Sequence, residues 1–466
     1  MFAFLICIAS LCFLMLVAYR GFSVILFAPV AALAAVLLTE PSSVLPVYSG
    51  LFMDKMVVFV KLYFPVFMLG AIFGKVIELS GFARSIVSSV IRMVGAERAM
   101  LSIVLVGALL TYGGVSLFVV VFAVYPFAAE MFRQGDIPKR LIPGTIALGA
   151  FTFTMDSLPG TPQIQNIIPA TFFKTNGMAA PILGTIGGIF ILIVGITYLN
   201  WRRKVAQAAG EGYGSGHHNE PEVADEKSTV NPVIAILPLF VVGIGNLIFT
   251  RWAFPAIYGT GNSEVALIPG TKPIVQSVSS FLAIWSVETA LLLGILTVVV
   301  FSWKTIASKF GEGSKTAIAG SLLASLNTAS EYGFGAVIAA LPGFVVVKNA
   351  LTAIPNPLVN EALTVTTLAG ITGSASGGMS IALAAMADQF IAAANAANIP
   401  LEVFHRVAAM ASGGMDTLPH NGAVITLLAV TGLTHRQSYK DIFAITCIKT
   451  LAVFVVITTY YLTGLV

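Results

Sequence analysis

The feature that most limits this sequence is the recurrence, along its whole length, of apolar stretches long enough to cross a lipid bilayer. A spanning helix needs roughly 20 such residues. Residues 2–18, 21–39, 56–79, 99–130, 141–170 and 178–201 qualify as six elements. Six more follow at 232–250, 281–303, 315–347, 361–395, 403–430 and 441–465. Charged residues are only 10% of the 466, against roughly 25% in soluble chains. A water-facing surface needs charge, so an ordinary soluble enzyme with one anchor is excluded. A net charge of +4 is too small to suggest nucleic-acid binding. The first stretch lacks a basic flank and a small-residue cleavage site, so it is expected to be a membrane helix. Cys7, Cys12 and Cys447 lie in apolar runs and read as packing residues.

Between the two sets of six lies 202–230, rich in Gly, Glu, Asp and His. Such a composition cannot bury a core and predicts a flexible linker. The chain then divides into 1–201, the linker 202–230, and 231–466. The two large parts are related by short motifs. Met155-Asp156-Ser157-Leu158-Pro159 recurs as Met415-Asp416-Thr417-Leu418-Pro419. Gly113-Gly114-Val115-Ser116 recurs as Gly377-Gly378-Met379-Ser380, and Ile137-Pro138 as Ile399-Pro400. Gly74 with Val76-Ile77 matches Gly335 with Val337-Ile338. Matches in one order at nearly constant offset signal an internal duplication.

Lys and Arg collect in cytoplasmic loops. With a cytoplasmic linker, and the fourth element of each half taken as a re-entrant hairpin broken at its Gly-Gly, sixteen of the 25 basic residues fall inside. Seven fall outside, Arg406 among them, while Lys75 and Lys449 lie within helices. Each half then crosses five times, so the halves are inverted and both termini lie outside. The expected fold is an all-α membrane protein of two inverted-topology repeats, each with a re-entrant hairpin and a broken helix. That arrangement is a signature of secondary transporters.

The breaks carry the candidate chemistry. Asp156-Ser157-Leu158-Pro159-Gly160-Thr161-Pro162-Gln163 and Asp416-Thr417-Leu418-Pro419-His420-Asn421-Gly422 interrupt apolar helices. A helix cannot pass such prolines intact, and freed backbone groups cannot face lipid. The half-helix ends suit a carboxylate at one side and a cation at the other. Candidate substrate contacts are Gly113, Gly114, Ser116, Ser157, Gly160, Thr161, Gln163 and Asn166 in the first half. In the second half they are Ser376, Gly377, Gly378, Ser380, Thr417, His420 and Asn421, with Thr111 and Ser374 as further hydroxyls. Asp156, Asp416 and Glu331 are candidates for the coupling ion, as ionisable groups at membrane depth. The two aspartates could equally bind sodium or cap the half-helices that follow. Glu288 and Asp388 are also expected to be buried, and Glu78 to pair with Lys75. No nucleotide loop and no metal-spaced His/Cys cluster occurs, so neither an enzyme nor an ATP-driven pump is expected, and no cofactor.

On these residues the chain resembles the gluconate permease (GntP-type) family of the ion transporter superfamily. The resemblance rests on Tyr112-Gly113-Gly114-Val115-Ser116-Leu117-Phe118, on Ile137-Pro138, and on the run Ser157 to Asn166 with its Gly160-Thr161-Pro162 core. It implies proton symport of sugar acids or smaller hydroxy acids such as 3-hydroxybutyrate or glycerate. Near the second break, Leu418-Pro419-His420-Asn421-Gly422-Ala423 replaces a Ser-His-Val-Asn-Asp-like stretch, which points away from gluconate itself. The expectation is a bacterial inner-membrane symporter for a small hydroxy monocarboxylate, a small organic anion, driven by protons, with sodium as the other coupling ion left open. A homodimer is among the open oligomeric states. Asp416→Asn or His420→Ala should abolish coupled uptake. The rival readings are a cation/proton antiporter and a non-transporting membrane scaffold.

Overall fold

The structure is a computed structural model that describes residues 2–20, 22–94, 98–115, 117–220, 230–259, 261–266, 272–346, 354–419 and 421–466. Ser116 and His420, two of the expected substrate contacts, lie outside the described residues, as does 221–229 of the expected linker. The chain is an all-α membrane protein, with one small addition. Six of its helical runs are long and apolar enough to cross a bilayer, the longest being Val278–Ala340.

In chain order, α1 (Phe2–Tyr19) and α2 (Val24–Thr39) are apolar on every face. α3 (Pro41–Leu79) follows, with a π-helical stretch at Val47–Phe52. It begins well before residue 56, where the apolar stretch starts. α4 (Phe82–Val94) is amphipathic and was not expected. It buries Phe82, Ala83, Ile86, Val87 and Val90 while Arg84 and Met93 stay exposed. A search for 20-residue apolar runs passes over such a helix, because only one face is apolar.

α5 (Ala99–Tyr112) and α6 (Leu117–Gln134) are separated by a break at Gly113–Val115, where Gly114 takes φ +95°. Then come α7 (Ile142–Ala150), the one-turn α8 (Phe153–Asp156), α9 (Ile164–Phe173) and α10 (Pro181–Ala208). The second part begins with α11 (Pro232–Tyr258). A short exposed hairpin, β1 (Asn262–Val265) against β2 (Ile274–Ser277), interrupts the helical pattern with Asn262 opposite Ser277.

α12 (Val278–Ala340) holds two helices that meet at a kink at Ser302, where φ −136° and ψ 17° are not helical, so the expected end of an element at residue 303 falls at a break. Lys304, Lys309 and Lys315, expected in a loop, lie instead in the helix beyond that kink. Nothing between 303 and 315 forces the helix to end, since it holds no proline and isolated glycines are tolerated. α13 (Pro357–Thr372) and α14 (Ala375–Ala397) form the second hairpin. Their break lies at Gly373–Ser374, not at Gly377–Gly378. Gly373 adopts φ +64° and Ser374 caps α14 by accepting from the Gly377 N–H at 3.1 Å. The Gly-Gly pair lets the two arms touch, because a Cβ at Gly378 would collide with the backbone of Ala369. α15 (Leu401–Ser412), α16 (Gly422–Thr431) and α17 (His435–Thr463) complete the chain.

The main apolar core is continuous from α3 through α17. A smaller cluster seats α1 and α2 on the end of α12 around Phe52, Phe334 and Ile338. The expected linker is not free over its described part. Residues up to Ala208 continue α10, and the stretch after it docks. Glu211 pairs with Arg140, and Glu220 pairs with Arg133 and with the buried Lys139. Asn219 donates to the Ala429 carbonyl at 3.0 Å, and its own carbonyl accepts from Tyr125 at 2.7 Å. Polar composition predicted a solvated chain; specific ion pairs to the loops beneath it hold it down instead.

Candidate functional site

Each break leaves backbone groups that must find partners away from water. In the first, most of the carbonyls find one. Phe151 O accepts from Lys449, Asp156 O from Arg406, and Pro159 O from the Tyr112 hydroxyl at 2.8 Å. Gly160 O accepts from Asn246, and Thr161 O from Asn166. Gly160 itself sits at φ +79°. Its conformation, and the close approach of Met178, exclude a side chain there. Thr161 donates to Thr154 O, and Ser157 to the Asp156 carboxylate. In the second break, Tyr439 donates to Thr417 O and Asn421 to Gly373 O, while His435 contacts Pro419 O. Asn421 also accepts from Val424 N–H and so caps α16.

A cavity of about 1000 Å³ lies between these parts. It is lined by Gly114, Pro162, Gln163, Ile164 and Gln165 from the first half, and by Thr372 to Ser376, Asp416, Thr417 and Asn421 to Ala423 from the second. α12 runs along one wall from Thr316 to Glu331, with Asn327 and Thr328 between. The fifteen helical steps between them make that wall about 22 Å long. Lys75 and Glu78, paired at 3.0 Å, stand where the wall is exposed. Val66, Phe67 and Leu291 supply apolar surface.

Of the expected substrate contacts, Gly114, Gln163, Ser376, Thr417 and Asn421 therefore meet in one cavity, with Asp416 and Glu331. Ser157, Gly160, Thr161 and Asn166 do not line it; they are spent on holding the first break. Gly113, Gly377, Gly378 and Ser380 are buried behind the lining. Asp156 is buried too, and does not reach the cavity.

Two basic residues govern the breaks, and neither was singled out in the sequence. Lys449, 2% exposed, lies 3.2 Å from Asp416 Oδ1 and 3.9 Å from Asp156 Oδ2. It joins the two duplicated aspartates across the halves. Gly413 allows this, since a Cβ there would strike both Asp156 and Lys449. Arg406 is fully buried within α15, so its assignment to an outside loop is corrected. It donates to the carbonyls of Asp156 and Ala179 and to Asn166 Oδ1. Beside it, His405 contacts Thr175 Oγ1 and Asn166 Oδ1. The rule that flags acids at membrane depth flags a lysine and an arginine there just as strongly.

Three helices present their N-termini to this cavity. They are α9 through Ile164 and Gln165, α14 through Ala375 and Ser376, and α16 through Gly422 and Ala423. Free N–H groups and the helix dipole make such ends favourable to anions. Among the described residues, no Lys or Arg side chain other than Lys75 lines the cavity.

No protein-family model matches the chain. It is 60% identical over 472 residues to the uncharacterized transporter YxjC of Bacillus subtilis (strain 168), covering 99% of both chains. Two solved structures share the fold. The YdaH transporter of Alcanivorax borkumensis, described as having an unusual topology, superposes with a TM-score of 0.54 at 15% identity, over 92% of this chain and 90% of that one. MtrF of Neisseria gonorrhoeae, described within a class of antimetabolite efflux pumps, gives 0.52 at 13% identity, over 90% and 85%. A membrane transporter is what these findings support, and the gluconate permease family is not among them. The chain belongs to the transporter family of YxjC.

Proposed function

We propose that this protein is a secondary transporter for a small hydroxy monocarboxylate of the 3-hydroxybutyrate or glycerate kind, coupled to protons. The observation that carries the reading is the convergence of three helix N-termini on one cavity with no basic side chain in its depth. A single carboxylate bound there is balanced by backbone dipoles rather than by a counter-ion. Ser374 occupies the N–H of Gly377 and its carbonyl that of Gly378, which leaves the N–H groups of Ala375 and Ser376 for a solute. Ser376, Thr328, Gln163 and Asn327 offer partners for a hydroxyl group, and Val66 and Leu291 for a short hydrocarbon chain. The two halves are read as inverted repeats that rock about the breaks. On this reading the chain sits in the bacterial inner membrane, with the 202–230 segment cytoplasmic, both termini outside, and the cavity open inward past Lys75 and Glu78.

The cation/proton antiporter reading is favoured by one observation, the closeness of Asp156 and Asp416. Lys449 already occupies the place between them that a metal cation would take, so the anion reading is preferred. The deciding experiment uses purified protein in liposomes and a panel of labelled 3-hydroxybutyrate, glycerate and gluconate. Accumulation driven by an imposed proton gradient, and not by sodium, is the expected result. Sodium-driven proton exchange without movement of any labelled acid would replace this reading with the antiporter.

A further inference from the structure

Glu331 is the one acid on the cavity wall with no basic partner among the described residues. It is 3% exposed, and its Oε2 accepts no hydrogen bond. The carboxylate rests against the first turn of α14, where a Cβ added at Gly377 would run into Oε2. The elements packed around it bring no cation. α2, α9 and the Pro232–Ile248 part of α11 contain no charged residue. On α3, Lys75 and Glu78 satisfy each other, and Asp54, Lys55 and Lys61 are exposed. Asp388 of α14 is exposed as well, and Asp416 across the cavity has Lys449. The phenols of Tyr63 and Tyr332 pack about Phe59.

The geometry points to Glu331 as an internal stand-in for the transported carboxylate, and to its protonation as the event that lets the substrate in. This rests on the proposed anion symport and names the residue that couples it. In the empty carrier the Glu331 carboxylate uses the positive end of α14. An incoming carboxylate needs the same field through Ala375 and Ser376. Two anions side by side in a poorly solvated cavity repel strongly, so one must be neutralised. Taking a proton onto Glu331 removes its claim on the helix end and admits the substrate. One proton then accompanies one monoanion, and release of the substrate on the alkaline side lets the carboxylate return. Reciprocity requires that the bound anion raise proton affinity by the factor that the proton raises anion affinity.

Glu331→Gln keeps the shape and fixes the neutral state. With labelled 3-hydroxybutyrate in liposomes, the variant should exchange label across the membrane but fail to accumulate it under a proton gradient. Its binding should be level with pH, whereas that of the natural protein falls roughly tenfold per pH unit on the alkaline side, as one linked proton demands. Undiminished proton-driven accumulation by the variant overturns the proposal. A second readout needs no substrate. Infrared difference spectra of the empty protein, taken between mildly alkaline and mildly acidic pH, should show a protonated-carboxyl band that Glu331→Gln removes. Glu361→Gln should leave that band in place, although Glu361 is also fully buried with both oxygens unpartnered. If the band survives Glu331→Gln, the assignment fails whichever acid is carried. If the band behaves as expected but none of the labelled acids moves, the substrate reading fails and the titrating group stands.

Discussion

The cavity has two acidic corners built on opposite principles. At one, Asp416 and the buried Asp156 share a single buried ammonium, that of Lys449, which also ties down the Phe151 carbonyl. At the other, Glu331 faces a helix end with no cation beside it among the described residues. The duplicated aspartates look like the coupling pair because they recur in both halves, and they differ from Glu331 in sharing a basic partner. Through both carboxylates and the Phe151 carbonyl, Lys449 holds the two broken helices against each other. On the proposal above, the unduplicated acid is the one that takes up the proton.

Breaking the paired corner should therefore produce the largest effect. Lys449→Met leaves two carboxylates buried without compensation. Removing one partner of a buried pair costs about 3–5 kcal/mol. Thermal unfolding in detergent should register a loss of that order. Adding Asp416→Asn to the same chain should recover a substantial part, because one stranded charge disappears, and the double-mutant cycle measures the coupling. A near-natural melting temperature for Lys449→Met would mean that the lysine does not bind the halves together, and the contrast between the corners would collapse.

The unpaired corner is probed by Gly377→Ala. The new methyl group meets the Glu331 carboxylate, so overpacking of about 1–3 kcal/mol is expected. Glu331→Gln should not relieve it, being the same size. Glu331→Ala should relieve most of it, the Ser374 hydroxyl still lying 2.9 Å from the new methyl group, and leave the helix better formed, since alanine exceeds glycine in helix propensity by about 1 kcal/mol. A cost undiminished by Glu331→Ala would place the crowding elsewhere and remove the carboxylate from the first turn of α14.

How much of this could be read in advance varied with the kind of signal. Helix breaks at Asp156–Gln163 and Asp416–Asn421 were legible because proline and glycine act locally. Their neighbours in space were not. Nothing in the sequence near Asp156 announces Lys449, which lies on another helix in the other half. The Gly-Gly match located the second hairpin but misplaced its turn by about one helical turn. Gly377–Gly378 serves the contact between helix arms, while Gly373 bends the chain, and a motif match cannot separate the two uses. Gly114 and Gly373, both at positive φ, are the positions that correspond in shape. Amphipathic α4 and the docked segment after Ala208 were hidden for the same reason. Each is stabilised by what it packs on, which a search for apolar length does not see.

A third carboxylate extends the comparison into water. Glu220 also has basic partners, Lys139 at 2.7 Å and Arg133, but it is 29% exposed. Burial alone would raise its pKa; hydrogen bonds from Lys139, Arg133 and Tyr213 outweigh that and hold it below the ordinary value. The bidentate contact with Arg140 likewise lowers Glu211. For a group whose folded pKa is depressed, the stabilisation is present above the unfolded value and drains away as pH falls through the folded one. Docking of residues 209–220 should thus be at full strength near neutrality and fade below the ordinary glutamate range. In high dielectric an ion pair contributes about 0–1 kcal/mol, so Glu220→Gln should move global stability far less than Lys449→Met. Its signature should be local. Hydrogen exchange of the 209–220 amides, corrected for the intrinsic effect of pH, should rise in the variant at neutral pH and in the natural protein under acid. If Glu220→Gln costs as much as Lys449→Met, then solvent exposure is not what separates a pair that merely docks a segment from one that locks two halves together.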